Sequence, residues 1–320
     1  MPADAAELIA QGAVVTVESS PTRIFADQEY AAAGCRLAPS GSWVDAPAEA
    51  AVVGIKELPD EPADLRHTHV YFAHSFRGQV GSQDILSRFR RGGGELLDVE
   101  YLTVGDGRRL VAFGYWAGYV GAALGVLEAR GRLIAPLAPT ERAALDASLT
   151  MTGGRPLRAL VVGAQGRSGT GACDALRVAG VPVTRWGLAE TAQLDRLDLL
   201  GHDLLVNCVA STGPAVPLVR PADLDVERTL EVVADVTCDV TNEHNLLPVN
   251  TATTTWDSPV RVLGTERPLR IIAIDNLPSL MPREASIDFS RQLTPLLADL
   301  PDRRGAWANA RAAFDRAMSG

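Results

Sequence analysis

The stretch that most constrains the fold is LRALVVGAQGRSGTGACDALRVAG, at residues 157–180. An aliphatic run at 159–162 is typical of a buried strand, and the amphipathic pattern from Ala172 onward is typical of a helix. Between these two patterns stand the glycines Gly163, Gly166, Gly169 and Gly171. Because glycine has no Cβ to hold a ligand away from the backbone, the stretch predicts a tight turn whose N–H groups face a pyrophosphate at a helix N-terminus.

These glycines follow the spacing G-x-x-G-x-x-G rather than the G-x-G-x-x-G of the common dinucleotide-binding motif. The alternative interpretation is therefore a glycine-rich turn of an α/β domain that binds no ligand. The strand before the turn and the helix after it favour a dinucleotide site, with Gly163, Gly166 and Gly169 as cofactor-binding residues.

Composition and charge limit the class of partner. The chain has 320 residues, 47% of them hydrophobic, and a formal net charge of −9. This length predicts two domains, and the negative charge argues against binding to nucleic acid or to anionic lipid. We therefore expect a small-molecule substrate. Four cysteines without C-x-x-C spacing, and a start that does not resemble a signal peptide, predict a cytoplasmic protein with free thiols and no zinc site.

One uncharged stretch, LVAFGYWAGYVGAALGVL at residues 110–127, has the minimum length of a membrane span. Its glycines recur every three or four residues, which equally allows a helix to pack closely inside a folded domain. Since no second such stretch is present, we predict a strand that ends near Phe113 and then a buried interdomain helix. A membrane-spanning helix is the alternative.

Lys56 is the only lysine among the 30 lysine and arginine residues of the chain. Arginine stays protonated in proteins, whereas a partly buried lysine amine can lose its proton. Lys56 is therefore interpreted as a group that changes protonation state, or that makes a contact impossible for a planar guanidinium. The alternative is a residue left on the surface by chance.

The apolar run at 51–55 predicts a strand that ends just before Lys56, and the run at 69–73 predicts a second strand that ends just before His74. In a parallel α/β sheet the carboxyl ends of the strands meet at one edge, where ligands bind. We therefore expect Lys56 and His74 to face one cleft.

The remaining patterns predict an α/β fold with two Rossmann-like domains, parallel sheets and an interdomain active-site cleft. A discontinuous catalytic and substrate domain is predicted at 1–113 plus 287–320, and an NAD(P)-binding Rossmann domain at 114–286. Further helices are predicted at 5–11, 24–33, 83–89, 140–149 and 287–317. Further strands are predicted at 13–17, 96–104, 109–113, 181–186, 204–209, 230–236 and 270–274.

Six segments spread along the chain resemble the saccharopine dehydrogenases that form lysine, which are relatives of alanine dehydrogenase. The segments are GIKELP (54–59), HTHVYFAHSF (67–76), GRRLVAFGYWAG (107–118), VVGAQGRSGTGA (161–172), ADVTCDVTNEHN (234–245) and IAIDNLPSLMPREAS (272–286). The resemblance implies an NAD(P)-dependent oxidoreductase that acts on the secondary amine of saccharopine. Hydride transfer from the carbon bearing the nitrogen and hydrolysis of the imine would give lysine and 2-oxoglutarate.

The resemblance also implies a role for each matching residue. Lys56 and His74 would be the catalytic acid–base pair, and their pKa values near neutral pH would suit proton transfer. The substrate would be bound by Gln79, Arg109, Phe113, Thr237, Cys238 and Asp239. The cofactor would be bound by Arg108, Gly163, Gly166, Arg167, Gly169, Thr191, Val236, Ile274, Asp275, Asn276 and Leu277.

The sequence departs from the family at the end of the second strand of the nucleotide domain. The acidic residue that would bind the adenosine ribose is replaced by Gly187. Without a carboxylate there, Arg185 or Arg167 would be able to pair with a 2′-phosphate, so the cofactor is predicted to be NAD or NADP, with NADP(H) at least tolerated.

The family also has a strand with an arginine and a glutamate before its first helix, whereas this sequence starts at that helix, MPADAAELI. Because that arginine would bind a substrate carboxylate, a second hypothesis keeps the chemistry but changes the substrate. That substrate would be another lysine conjugate with a different nitrogen linkage, in specialised metabolism. A third hypothesis is a nucleotide-binding protein without catalysis.

Two groups of residues have the composition of a metal site. His67 and His69 lie two residues apart on a predicted strand, and Asp239, Asn242 and His244 lie close together in the sequence. A histidine pair without a third ligand is more often structural. The resemblance places the second group beside nucleotide and substrate, so no metal is predicted.

Overall fold

A computed structural model describes residues 1–55, 58–73, 76, 81–105, 107–151, 155–211 and 213–319. The chain divides into two compact units. The first consists of Met1–Ala112 together with Ser286–Gly320, and the second of Phe113–Ala285. The catalytic and nucleotide-binding roles assigned to these two parts of the chain stay predictions.

The first unit contains parallel strands in the part that the structure describes. Its helices before residue 113 are α1 (Pro2–Ala10), α2 (Asp27–Ala32) and α3 (Ser82–Gly92). Its strands are β1 (Thr16–Glu18), β2 (Arg36–Ala38), β3 (Ala51–Ile55), β4 (Thr68–Phe72) and β5 (Glu95–Asp98). β1 pairs with β2, and β3, β4 and β5 form a separate parallel sheet in that order.

The second unit is built on a six-stranded sheet. Its helices are α4 (Gly114–Ala129), α5 (Arg142–Thr150), α6 (Arg167–Val178), α7 (Leu188–Ala192) and α8 (Arg196–Leu200). Its strands are β6 (Ala159–Val162), β7 (Val183–Trp186), β8 (Leu204–Asn207), β9 (Val232–Asp235), β10 (Arg261–Leu263) and β11 (Leu269–Ile272). The strand order is β10-β11-β9-β8-β6-β7, and only the edge pair β10–β11 is antiparallel within it.

This strand order places a topological switch point at β6. From β6 the chain continues to β7 on one side and then to β8 on the other. In open parallel sheets, ligands bind beyond the carboxyl ends of the strands at such a point. The glycine turn that follows β6 is therefore at the expected ligand-binding position of the fold.

The central strands β6, β8 and β9 of the second unit are buried on both faces because helices and loops cover both sides of the sheet. Ala159 and Val161 of β6 pack in a cluster with α4 and α6, and Leu160 and Val162 pack in a second cluster with α8. All four residues of β6 are buried. This alternation explains why the strands appear in the sequence as short uninterrupted apolar runs.

The uncharged stretch around α4 is a buried helix of the second unit. Gly118 and Gly171 bring α4 and α6 close together, since a Cβ on Gly118 would lie 1.7 Å from the Ser168 carbonyl oxygen. A Cβ on Gly121 would lie 2.7 Å from Val236 Cγ2, and one on Gly125 would lie 2.8 Å from Leu204 Cδ1. The glycines thus serve packing on two sides of α4. Among the described residues, no helix is long and apolar enough to cross a membrane.

The predicted strands at 96–104 and 109–113 are wrong in the greater part of their length. β5 stops at Asp98, whose side chain accepts the N–H of Glu100 at 3.0 Å and starts a 3₁₀ turn, Val99–Tyr101. At 109–113 the only ladder contact within the described ranges is an isolated bridge between Arg109 and Thr103. An acidic cap therefore overrides the apolar pattern of the first segment.

The predicted helix at 287–317 is two helices, α9 (Pro282–Ala298) and α10 (Ala306–Ser319). Pro301 lies in a 3₁₀ turn, Leu300–Asp302, and Gly305 has a φ of +58°. Proline has no N–H for helical pairing, and a positive φ favours glycine, so the chain breaks there. The short strands β2 and β10 were not predicted.

Candidate functional site

The glycine turn between β6 and α6 leaves little room for side chains at two of its positions. Gly163 has a φ of +79°, and a Cβ there would lie 2.4 Å from Val209 Cγ2. A Cβ on Gly169 would lie 2.1 Å from the carbonyl oxygen of Gly163. These two glycines are therefore required by the fold of the turn itself.

Gly166 differs from both, because a Cβ there would meet only the Gly163 oxygen, at an ordinary 3.4 Å. Gly166 is exposed and is the N-cap of α6, which begins at Arg167. A glycine N-cap has no side chain to accept the first N–H groups of the helix. The turn therefore fits an anionic group such as a pyrophosphate, which these N–H groups and the helix dipole attract.

The end of β7 lies against the same turn. The N–H groups of Gly163 and Ala164 donate to the Trp186 carbonyl at 2.9 and 3.2 Å. The next residue, Gly187, donates its N–H to Glu190 Oε2 at 2.7 Å. That hydrogen bond lowers the pKa of the Glu190 carboxyl group. A carboxylate therefore lies at the end of β7 although the strand is followed by glycine.

The two predicted nucleotide residues near this point are oriented by local contacts. Thr191 Oγ1 donates to the Gly187 carbonyl at 2.9 Å, within the first turn of α7. The guanidinium of Arg185 lies near the Cys173 thiol of α6. Burial raises the pKa of that thiol, and Arg185 partly offsets the effect.

The carboxyl ends of β8 and β9 are joined by the buried carboxylate of Asp235, which is 1% exposed. Its Oδ1 accepts hydrogen bonds from Asn207 Nδ2 at 3.1 Å and Thr237 Oγ1 at 2.8 Å, and its Oδ2 accepts one from Asn250 Nδ2 at 3.2 Å. Cys238 has a φ of +52°, and burial raises the pKa of its thiol to about 12. The thiol therefore stays protonated at neutral pH.

The predicted substrate residue Asp239 belongs to the loop that follows. Asn242 Nδ2 donates to Asp239 Oδ2 at 2.7 Å and to the Ser211 carbonyl at 3.1 Å. Asn242 Oδ1 accepts the N–H of His244 at 2.9 Å. These amide contacts hold the loop beside the ends of β8 and β9.

The predicted cofactor residues Val236 and Leu277 both lie against Gly121 of α4. A Cβ on Gly121 would be 2.7 Å from Val236 Cγ2 and 3.3 Å from Leu277 Cδ1. Ile274 is bridged to Thr254, in a short extension of the sheet. Val236 and Leu277 are thus brought together, and their cofactor-binding role stays a prediction.

Two further predicted cofactor residues form a sharp turn before Leu277. Asn276 has a left-handed conformation with a φ of +63°. Its Nδ2 donates to Asp275 Oδ2 at 3.2 Å.

The predicted substrate residue Phe113 is the N-cap of α4 and packs against the apolar cluster of the second unit.

In the first unit, three of the predicted site residues lie outside the described residues: Lys56, His74 and Gln79. The strands before Lys56 and His74 are described. β3 and β4 are adjacent and parallel, and their last residues, Ile55 and Phe72, are paired. The sheet edge that these two strands share is thus the edge at which the sequence places the two predicted catalytic residues.

Two buried acidic residues, Asp98 at the end of β5 and Glu100 just after it, lie at the carboxyl edge of the same sheet. Asp98 is fully buried, and its Oδ1 accepts the N–H of Ala73 at 3.3 Å. Glu100 is 4% exposed and lies 2.8 Å from Arg109 Nη2. The predicted substrate residue Arg109 is therefore oriented by a buried carboxylate. The backbone carbonyl of the neighbouring Arg108 accepts the N–H of Val104 at 3.0 Å.

The two histidines of β4 and its approach make contacts with the backbone. His67 Nε2 lies 2.9 Å from the Ala46 carbonyl, and His69 Nδ1 lies 3.0 Å from the His67 carbonyl. His69 packs edge-on against Trp43 and Phe89, and its burial lowers its pKa to about 4. Within the described ranges there is no group of three or more His, Cys, Asp or Glu side chains placed to hold a metal ion.

Glu100, Asp235 and Glu190 were not predicted from the sequence as site residues. Glu100 and Asp235 interrupt or end strongly apolar runs, LLDVEYL and LEVVADV, and a buried acid in such a run is a recognisable signal. Glu190 has a weaker signal, because an acid three residues after an N-cap is common at any helix start.

The parallel sheets and the glycine turn at the switch point define an α/β protein with Rossmann-like domains. Solved structures show the same fold. L-alanine dehydrogenase superposes with a TM-score of 0.67 and 17% identity over 99% of this chain and 89% of that one. A transhydrogenase from Sinorhizobium meliloti superposes with a TM-score of 0.65 and 16% identity over 93% and 87%. The predicted fold class is confirmed.

Sequence similarity defines the family more narrowly. Residues 1–120 match the family model of the alanine dehydrogenase/PNT N-terminal domain. The L-lysine-forming, NAD(+) saccharopine dehydrogenase of Neurospora crassa is 41% identical over 99% of this chain and 92% of its own length. The enzyme of the same name from Yarrowia lipolytica is 40% identical over 98% and 92%. The chain belongs to the saccharopine dehydrogenase family of oxidoreductases, and the predicted resemblance is confirmed.

Proposed function

We propose that this chain oxidises saccharopine with NAD⁺ to L-lysine and 2-oxoglutarate, or catalyses the reverse reaction. The observation that carries the proposal is 41% identity over 99% of the chain to an enzyme named for that reaction. The free thiols of all four cysteines support the predicted cytoplasmic location.

The residues of the second unit fit a dinucleotide. The exposed backbone at Gly166 and the N-terminus of α6 would hold the pyrophosphate, together with Gly163, Gly169 and Arg167. Thr191 and Val236 would contact the nucleotide, residues 274–277 would lie beside the nicotinamide, and Arg108 would contact the cofactor. When bound, NAD⁺ accepts the hydride from the carbon that carries the amine nitrogen.

Lys56 and His74 would move the protons of the reaction. After hydride loss the imine adds water, and collapse to an amine and a ketone requires one group that accepts a proton and one that donates it. The pairing of Ile55 with Phe72 supports a shared position for the residues that follow β3 and β4. Lysine and imidazole side chains both exchange protons near neutral pH when their surroundings bring their pKa values close to 7.

Arg109 would bind a carboxylate of the substrate, since a guanidinium forms charge-assisted hydrogen bonds with carboxylates. Glu100, 2.8 Å away, would hold that guanidinium in place. Gln79 and Phe113 would complete this side of the substrate site. Residues 237–239 would also contact the substrate, and Asp235 accepts a hydrogen bond from Thr237 Oγ1 at 2.8 Å.

Variants of Lys56 test the proposal. Lys56→Met removes the amine, whereas Lys56→Arg keeps a positive charge that cannot be lost at working pH. If Lys56 transfers protons, we expect both variants to lower kcat for saccharopine by about 100-fold or more, as His74→Gln also should. NADH binding, measured by fluorescence titration, serves as the control and should stay within about threefold of the wild type.

Three outcomes would contradict parts of the proposal. Recovery of turnover by Lys56→Arg would mean a charge contact rather than proton transfer. Inactivity of the wild type on saccharopine, with turnover of another lysine-derived secondary amine, would favour the second substrate hypothesis. Nucleotide binding without turnover of any such amine would favour a protein that does not catalyse.

A further inference from the structure

The end of β7 carries a negative charge that its sequence position does not suggest. Gly187 follows the strand, and the side chain of Glu190 folds back so that Oε2 accepts the Gly187 N–H at 2.7 Å. Thr191 Oγ1 donates to the Gly187 carbonyl at 2.9 Å and fixes the same turn of chain. The carboxylate is therefore held over the end of the strand.

This carboxylate lies beside the glycine turn. The Trp186 carbonyl accepts the N–H groups of Gly163 and Ala164, which joins the end of β7 to the turn. A Cβ built on Gly187 would lie 3.3 Å from Gln165 Nε2 and 3.5 Å from Glu190 Oε2. A side chain of the turn and the Glu190 carboxylate thus approach the same point, and both residues are exposed.

In Rossmann-type sites an acidic residue about 20 positions after the glycine motif binds the adenosine ribose hydroxyls. Glu190 is at that distance from Gly169. On the basis of the proposed cofactor function, we propose that Glu190 replaces the acid missing at Gly187, accepts the ribose hydroxyls, and selects NAD(H) against NADP(H). Glu190 is thus a specificity-determining residue, and the tolerance of NADP(H) expected from Gly187 alone does not follow.

Two further observations agree with this role. The Gly187 N–H lowers the pKa of Glu190, so the carboxylate is ionised at neutral pH and repels a 2′-phosphate. Arg185, the nearest candidate partner for a 2′-phosphate in the sequence, lies near the Cys173 thiol of α6 instead.

Binding of nucleotide fragments tests the proposal without turnover. Calorimetric titration of the whole chain with ADP-ribose and with its 2′-phosphate gives the ratio of the Kd of the phosphorylated ligand to that of the unphosphorylated one. The same ratio is then measured with NADPH and NADH. We expect the wild type to bind the 2′-phosphorylated ligands at least tenfold more weakly. Glu190→Gln keeps an oxygen that can accept the Gly187 N–H but removes the charge, and should reduce that ratio at least fivefold.

Glu29→Gln is the matched control. Glu29 is exposed and occupies the same position of α2, where Oε1 accepts the Ala26 N–H at 2.9 Å, but it belongs to the first unit. We expect this variant to keep the wild-type ratio. The wild-type ratio should also fall as ionic strength rises, since exposed charges are screened, whereas that of Glu190→Gln should change little.

An equal Kd for the two classes of ligand in the wild type, or an unchanged ratio in Glu190→Gln, would overturn the role of Glu190. Neither result would argue against the proposed NAD-dependent turnover of saccharopine. Failure of ADP-ribose and NADH to bind the wild type at all would instead overturn the proposed cofactor function together with this inference.

Discussion

Gly166 and Gly169 stand in the same turn for different physical reasons. Gly169 cannot carry a Cβ, which would lie 2.1 Å from a backbone oxygen, whereas Gly166 has room for one but exposes the backbone that a phosphate would approach. Replacement by alanine should therefore weaken mainly ligand binding at Gly166 and mainly the stability of the fold at Gly169.

Gly166→Ala should change the free energy of unfolding by about 1 kcal/mol or less and raise the Kd for NADH at least tenfold, because its Cβ occupies the space of the ligand. Gly169→Ala should destabilise the fold by about 2 kcal/mol or more, because a backbone oxygen must move. Denaturant unfolding and NADH titration measure the two effects. Normal NADH binding by a folded Gly166→Ala protein would show that this turn does not hold the pyrophosphate.

At the scale of single residues, the sequence predicted the turn because glycine spacing has few structural explanations. It did not predict Glu190, because the relevant carboxylate reaches the end of β7 from three residues further along, through a hydrogen bond to Gly187. Side-chain conformation decides this contact, and position in the sequence does not reveal it.

Among the helices and strands, the contact between α4 and α6 fixes the position of the glycine turn. Gly118 lies against the Ser168 carbonyl, in the first turn of α6, and Gly171 lies against the Tyr115 carbonyl of α4. Backbone meets backbone at both points, so neither helix can yield by rotating a side chain. Movement of α4 would therefore displace the start of α6.

Gly118→Ala should destabilise the second unit by about 3 kcal/mol or more and weaken NADH binding, since its Cβ would lie 1.7 Å from the Ser168 oxygen. Gly125→Ala is the matched control in the same helix. Its Cβ would meet the flexible end of Leu204 at 2.8 Å, and alanine favours a helix, so we expect a change of about 1 kcal/mol or less. Equal destabilisation by the two variants, measured by denaturant unfolding, would contradict this account of the α4–α6 contact.

Elements with strong apolar patterns were the ones predicted from the sequence. β6, β8 and β9 are buried on both faces, and their first three residues are aliphatic. β2 and β10 have three residues each, partly exposed, and no pattern distinguishes them from loops. The segment 109–113 is apolar, yet it leads into the N-cap of α4 instead of forming a strand, which only tertiary contacts determine.

At the scale of the whole molecule, the first unit is discontinuous in sequence, since the tail from Ser286 returns to it. Arg311 Nη1 lies 2.6 Å from Glu95 Oε2 at the start of β5, and Arg303 also pairs with Glu95. The buried carboxylate thus joins the tail to the first sheet. Helical periodicity predicted the tail as helix, whereas tertiary contacts such as these pairs identify the strand that it contacts.

In the proposed reaction, the chain breaks saccharopine on the 2-oxoglutarate side of its secondary amine, with hydride transfer to NAD⁺. Hydride loss from the glutaryl carbon gives lysine and 2-oxoglutarate after hydrolysis. Hydride loss from the lysyl carbon would instead give glutamate and an aldehyde. The identity of the products therefore reports which carbon faces the cofactor.

The most direct test is to mix the purified protein with saccharopine and NAD⁺ and to quantify NADH, lysine and 2-oxoglutarate together. We expect the three to form in equal amounts, and Lys56→Arg to suppress all three in parallel. Formation of glutamate in place of lysine, or no NADH from saccharopine by a protein that binds NADH, would contradict it.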